Sequence, residues 1–179
     1  YSVTHKNKRP LLKTDKFDGF IIGYNSCRPK SLGEVYLSSP YIKDKPIINP
    51  NFLSNDDDVH DVKCAINFSK KLAETSSIKD IRVENINNNL INGSELEMFE
   101  HFKENAVSVY HPCGTCRMDK EKSNGVVSER FKVHGLNNLW VLDASVFPNI
   151  TSGNINAPVM MLANIGSKII IEDLKKLIQ

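Results

Sequence analysis

The chain has 179 residues, 40% of them hydrophobic and 25% charged, with a formal net charge of +2. That length and balance suit one globular domain, or one domain with part of a neighbour, and exclude wholesale disorder. The near-neutral charge speaks against nucleic acid as the main partner, and the longest apolar run, Ala157–Ala163, falls far short of the ~20 residues of a membrane helix.

Taken in chain order, residues 1–16 are basic and polar and read as a solvated linker. The start at Tyr1, with neither Met nor a signal-like segment, reads as a piece of something longer. Phe17–Tyr24 is rich in Phe, Ile and Tyr and predicts a strand weakened by Gly19 and Gly23. Glu34–Ser38 alternates, with Val35 and Leu37 on one face, and predicts a short strand. Pro40, Pro46 and Pro50 break up the extended stretch around Ile47 and Ile48.

Ser54-Asn55-Asp56-Asp57-Asp58 is a helix start, with capping side chains followed by carboxylates in the first turn. The helix after it is expected to bury Val59, Val62, Ile66 and Ala73 and to hold Lys63, Lys70 and Glu74 opposite. Ile78–Val83 suits a strand edge, and Asn85–Asn92 an Asn-rich loop. Ser94-Glu95-Leu96-Glu97 opens a second short amphipathic helix carrying Leu96, Phe99 and Phe102. Val107–Tyr110 and Leu139–Leu142 look like buried strands. The longest helix is expected from Ala157 to about Leu177, with Pro158 near its first position, where a missing amide hydrogen matters least. The fold class is α+β: short antiparallel strands with three helices packed on them.

Four segments could carry chemistry. The first is Tyr110-His111-Pro112-Cys113-Gly114-Thr115-Cys116-Arg117-Met118, where a histidine at the exit of an apolar strand can present a neutral imidazole as a proton acceptor. Alone, it reads equally as a structural histidine bonded to a carbonyl. The same segment holds Cys113-x-x-Cys116, but a reactive dithiol wants a helix N-terminus directly after the first Cys. A zinc site would need a second pair, and Cys27, Cys64 and His134 show no metal-ligand spacing, so no metal is expected. The second segment is Trp140-Val141-Leu142-Asp143-Ala144-Ser145, a strand ending in an Asp that could bind a ligand hydroxyl or simply form a turn. The third, Thr151 to Pro158, is a small-residue loop feeding a helix N-terminus, suited to an anionic group, with Asn154 and Asn156 as possible caps. Fourth, Asn-x-Ser/Thr occurs at Asn67, Asn92 and Asn149, and in so Asn-rich a chain these read as chance. None of the nine glycines is separated from another by one residue, so there is no G-x-G-x-x-G and no phosphate loop.

In this order the motifs resemble the C-terminal region of the glucose–methanol–choline (GMC) family of flavin oxidoreductases. The matching runs are His111-Pro112-x-Gly114-Thr115-x-Arg117-Met118, Leu139-Trp140-Val141-Leu142-Asp143-Ala144-Ser145-Val146-x-Pro148 and Ser152-Gly153-Asn154-x-Asn156-Ala157-Pro158. Ser31–Leu37 and Pro46–Leu53 look like the family's substrate-domain strands. The resemblance implies a substrate-binding α+β domain over 17–135, and over 136–179 a strand, loop and helix returning to an FAD-binding domain whose N-terminal part is absent. It implies His111 as proton acceptor and Asn156 as its hydrogen-bonding partner on an alcohol or sugar hydroxyl. It places Asp143 and Ala144 beside the ribityl–pyrophosphate part of FAD, and Asn156, Ala157 and Pro158 beside the isoalloxazine. The implied partners are the small-molecule substrate and the N-terminal FAD-binding portion of the same polypeptide; an extracellular location is the family's inclination. Two other functions stay open, a truncated non-catalytic binding module of this fold and a C-x-x-C thiol oxidoreductase.

Overall fold

A computed structural model describes residues 19–82 and 93–178. The basic segment 1–16, the ends of two expected strands at Phe17 and Val83, and the Asn-rich 85–92 lie outside the described residues. The chain divides into two compact units, Tyr1–Ser26 with Asp56–Ser108, and Cys27–Asn55 with Val109–Gln179. Both contribute to an α+β composition of one small antiparallel sheet and four α-helices among the described residues.

The first unit is helical. Helix α1 spans Asp56–Ala73, opening with three carboxylates and burying Val62, Ile66 and Ala73. That spacing is one face of a 3.6-residue period. A single-turn helix α2 (Ser76–Lys79) follows where Ile78–Val83 suggests a strand edge. The reason lies at the end of α1, where Arg82 turns back to donate to the Ala73 carbonyl at 3.2 Å and to Glu74 at 3.0 Å. A cation on the last carbonyls suits the negative end of a helix dipole, and it keeps 78–82 coiled under the helix.

Helix α3 (Glu95–Asn105) begins with a reciprocal capping box: the Glu97 amide donates to Ser94 Oγ at 3.3 Å and the Ser94 amide to Glu97 Oε2 at 2.7 Å. Lys63 and Lys70 are not on a free face opposite the core, as the periodicity suggests; they line the seam with α3. Lys63 Nζ lies 3.4 Å from Glu95 Oε1, and Lys70 Nζ donates to the Gly93 carbonyl at 2.6 Å. Long aliphatic stems let both lysines leave the polar face and reach acceptors at the start of the neighbouring helix. Among the described residues Gly19–Tyr24 forms no strand. Val107–Tyr110 is no buried strand either: Val107 is 79% exposed, and Tyr110 adopts φ 62°, which an extended ladder cannot accommodate.

In the second unit, strands β1 (Glu34–Tyr36) and β2 (Ile47–Asn49) pair antiparallel in the register Glu34↔Asn49, Val35↔Ile48, Tyr36↔Ile47. Gly33 makes this possible, since a Cβ there would sit 2.3 Å from the Asn49 carbonyl oxygen. The core of this unit is Val127, Phe131 and Val146, with Met118, Trp140, Leu142, Leu162, Ile169 and Ile170 packed around it. Burying side chains of this kind stabilises by roughly 1.5–3 kcal/mol each. Leu139–Leu142 forms one bridge, Lys132↔Trp140, rather than a strand. Left-handed residues on both sides, Phe131 at φ 64° and Asn138 at φ 58°, turn the chain away before a longer ladder can grow.

Helix α4 (Asn156–Ile178) covers this core. Pro158 is its third residue, and the first α-helical bond is Val159 N–H to the Ile155 carbonyl at 2.9 Å. The missing proline donor thus falls among amides that have no intrahelical partner anyway. Gly166 sets the approach of α4, because a Cβ there would meet Leu142 Cδ1 at 2.3 Å and Phe131 Cε2 at 2.9 Å. Further along, Asp173 receives Arg130 in a two-oxygen grip at 2.6 to 3.0 Å.

Candidate active site

The His111, Asp143 and Thr151–Pro158 segments all fall in the second unit. The first two are laced together by backbone. After Gly114, at φ 92°, the Cys116 amide donates to the Ser145 carbonyl at 2.9 Å and the Met118 amide to the Val146 carbonyl at 2.9 Å. The His111 loop therefore runs beside the turn that follows Asp143. That turn is one of 3₁₀ type over Ala144–Val146, capped by Asp143, whose Oδ1 accepts from the Ser145 amide at 2.7 Å. Asp143 thus does what strand-end aspartates commonly do. Its side chain remains exposed, and Ala144 beside it is half-buried.

His111 is half-buried and follows Tyr110 in its left-handed conformation. Its ring makes no hydrogen bond or ion pair with any described residue. His134 is the contrast: its Nε2 lies 2.9 Å from the Asp119 carbonyl oxygen, the structural role that a lone histidine usually fills. No hydrogen bond joins His111 to Asn156 among the described residues. Asn156 and Ala157 are exposed at the first two positions of α4, and Pro158 is half-buried. Since Val159 makes the first helical bond, the amides of Asn156 and Ala157 precede the ladder.

Two contributors were not legible in the motifs. Arg28, far upstream, donates from Nε to Ser152 Oγ at 3.0 Å, tying the segment before β1 to the loop that feeds α4. The Ser145 hydroxyl is buried with no partner among the described residues, as is the Trp140 indole N–H. A hydroxyl buried without a bond costs about 1–3 kcal/mol, a state that persists where a partner completes it. The thiols point the other way from a dithiol centre. Burial pushes the Cys113 thiol above its ordinary range, and the residue after it is a left-handed glycine rather than a helix N-terminus. Both members of the pair are free. No group of three or more metal-binding side chains occurs among the described residues, and no described helix is long and apolar enough to cross a membrane.

Comparison with known proteins places this chain in a family. The family profile described as GMC oxidoreductase matches residues 29–163. The chain is 33% identical over 154 residues to alcohol dehydrogenase [acceptor] of Pseudomonas putida, covering 86% of this chain and 28% of that protein. It is 31% identical over 159 residues to the mitochondrial choline dehydrogenase of Mus musculus, covering 88% of this chain and 27% of that one. Among solved structures, formate oxidase of Aspergillus oryzae RIB40, described in connection with FAD modification, superposes with a TM-score of 0.75 at 34% identity, over 84% of this chain and 26% of that one. Pyridoxine 4-oxidase from Mesorbium loti gives a TM-score of 0.72 at 31% identity, over 79% and 28%.

The class to which the fold and the matches point is that of the oxidoreductases. The chain belongs to the GMC oxidoreductase family, in its C-terminal region, and spans just over a quarter of the length of the curated relatives it matches.

Proposed function

We propose that this chain is the substrate-facing and proton-accepting portion of an FAD-dependent oxidoreductase acting on the CH–OH group of an alcohol or sugar. The observation that carries the reading is the lacing of the His111 loop to the Asp143 turn through Cys116–Ser145 and Met118–Val146, in the unit that also holds the N-terminus of α4. In this reading, 17–135 is the substrate domain and 136–179 the bridged segment, loop and helix contributed to a cofactor domain whose dinucleotide-binding part is a separate N-terminal portion of the polypeptide. The relatives' names, alcohol and choline dehydrogenases, support the substrate class, and the choice among alcohols is left to experiment.

The residues present fit a large, polar, partly anionic cofactor. Exposed Asn156 and Ala157 amides at the positive end of α4, small side chains at Ala144 and Ala157, and the unpartnered Ser145 hydroxyl together offer donors without bulk. Asp143, Ala144, Asn156, Ala157 and Pro158 would hold it. When bound, FAD supplies the acceptor for a hydride from the alcohol carbon. The chain's own part is proton chemistry. His111, whose ring is held by no carbonyl among the described residues, takes the hydroxyl proton on a ring nitrogen, building negative charge on the oxygen that drives the hydride away. Asn156 donates its amide hydrogens to that oxygen and holds the alcohol in place without competing for the proton.

Anaerobic mixing of the full-length flavoprotein with a panel of primary alcohols and aldoses tests this. Bleaching of the oxidised flavin by at least one of them is expected. A flavin that stays oxidised with every member would favour a non-catalytic module of the same fold.

A further inference from the structure

Outside the motifs, one pair of donors stands on the surface of α1. Cys64 Sγ lies 3.4 Å from His60 Nε2. The two residues are one helical turn apart, and both are exposed, half a turn round from the buried Val62 and Ile66. The distance is informative. Zinc–sulfur and zinc–nitrogen bonds of about 2.3 and 2.1 Å at a tetrahedral angle separate the two donor atoms by about 3.6 Å, close to what the free side chains already hold. Little side-chain ordering would be needed to bring both onto one ion.

The local field favours a cation. Asp57, one turn toward the N-terminus, and Asp61 add negative charge to this side of the helix, and Glu95 lies within electrostatic reach of His60. Lys63, three residues along the helix from His60, is paired with Glu95 at 3.4 Å. Imidazole and thiolate together suit borderline-soft ions over Mg²⁺ or Ca²⁺.

We propose that His60 and Cys64 form a bidentate site for a borderline-soft divalent cation, Zn²⁺ or Cd²⁺, on the exposed side of α1, with water completing the shell. Binding makes a metal–sulfur and a metal–nitrogen bond, and the Cys64 thiol proton passes to solvent, with no change of oxidation state. The site is independent of the flavin reading, being in the other unit of the chain.

Cd²⁺ alone is the probe, added in small excess to the reduced full-length protein and to its His60→Gln variant. Alkylation of Cys64 by iodoacetamide is followed by peptide mass mapping, so no other thiol enters the readout. Cd²⁺ is expected to slow Cys64 alkylation about ten-fold or more in the parent and to have little effect in His60→Gln. Circular dichroism of the variant checks that α1 is intact. Equal protection in both chains, or none in the parent, overturns the proposal.

Discussion

The Cys116 amide donates to the Ser145 carbonyl oxygen at 2.9 Å, joining two motifs that lie far apart in the chain. This bond and its neighbour, Met118 to Val146, convert a histidine loop and an aspartate turn into one backbone surface. The side chains differ in how they are held. Asp143 is spent on capping, whereas His111 is left uncommitted beside a residue in the left-handed region.

The left-handed conformation of Tyr110 is testable by substitution. Glycine adopts φ 62° freely, while a β-branched side chain resists it by roughly 1–2 kcal/mol. Tyr110→Gly is expected to melt close to the parent and Tyr110→Val well below it. Equal melting temperatures for the two variants would show that the backbone at 110 is not held as described.

Gly166 should tolerate no side chain. In an exposed helix Gly→Ala stabilises by about 1 kcal/mol, but here the added Cβ meets Leu142 at 2.3 Å. Gly166→Ala is therefore expected to lose roughly 1–3 kcal/mol in urea unfolding, through displacement of α4 from the Phe131 core. A gain in stability would mean that α4 does not pack at this distance.

The capping box on α3 predicts an asymmetry. Ser94→Ala removes the acceptor for the Glu97 amide and is expected to cost about 0.5–2 kcal/mol. Ser94→Gly should cost only a few tenths. Urea unfolding of the two variants side by side distinguishes a cap from a generic surface serine, for which both changes would be equally mild.

Stability should depend on pH through Asp173. The Arg130 hydrogen bonds hold its carboxyl below the ordinary 3.8, so the pair contributes above that value and is lost as pH falls through the lowered folded one. Asp173→Asn should flatten the acid side of a plot of melting temperature against pH, from about pH 4 downward. An unchanged acid limb in Asp173→Asn would assign that loss to other carboxylates, such as Glu95, which Asn67 and Lys63 also hold low.

Helices were the most legible part of the fold. Ser94-x-x-Glu97 and the Val62, Ile66, Ala73 spacing are local signals, and local bonds fulfil them. Strands were less so, because pairing depends on what lies opposite. Ile78–Val83 and Val107–Tyr110 have strand-like composition, yet Arg82 folds the first under α1 and Tyr110 turns the second aside. Lys63 and Lys70 misled for a related reason, since periodicity marks a polar face without showing that α3 lies along its edge. At the site, the motifs and their residue types could be read from sequence. Their juxtaposition could not: the Cys116–Ser145 bond is made by backbone, and Arg28 reaches Ser152 across 124 positions. The His60–Cys64 pair carries no signal in the spacing of Cys27, Cys64 and His134, because the partner of Cys64 sits one turn back on the same helix.

The central claim, that His111 accepts the substrate proton, is tested most directly by anaerobic flavin reduction in the full-length protein with its best alcohol. His111→Ala is expected to slow reduction by about 10²–10⁴-fold, with Cys113→Ser within a few-fold of the parent. Undiminished reduction in His111→Ala, or loss of reduction in Cys113→Ser, would contradict it.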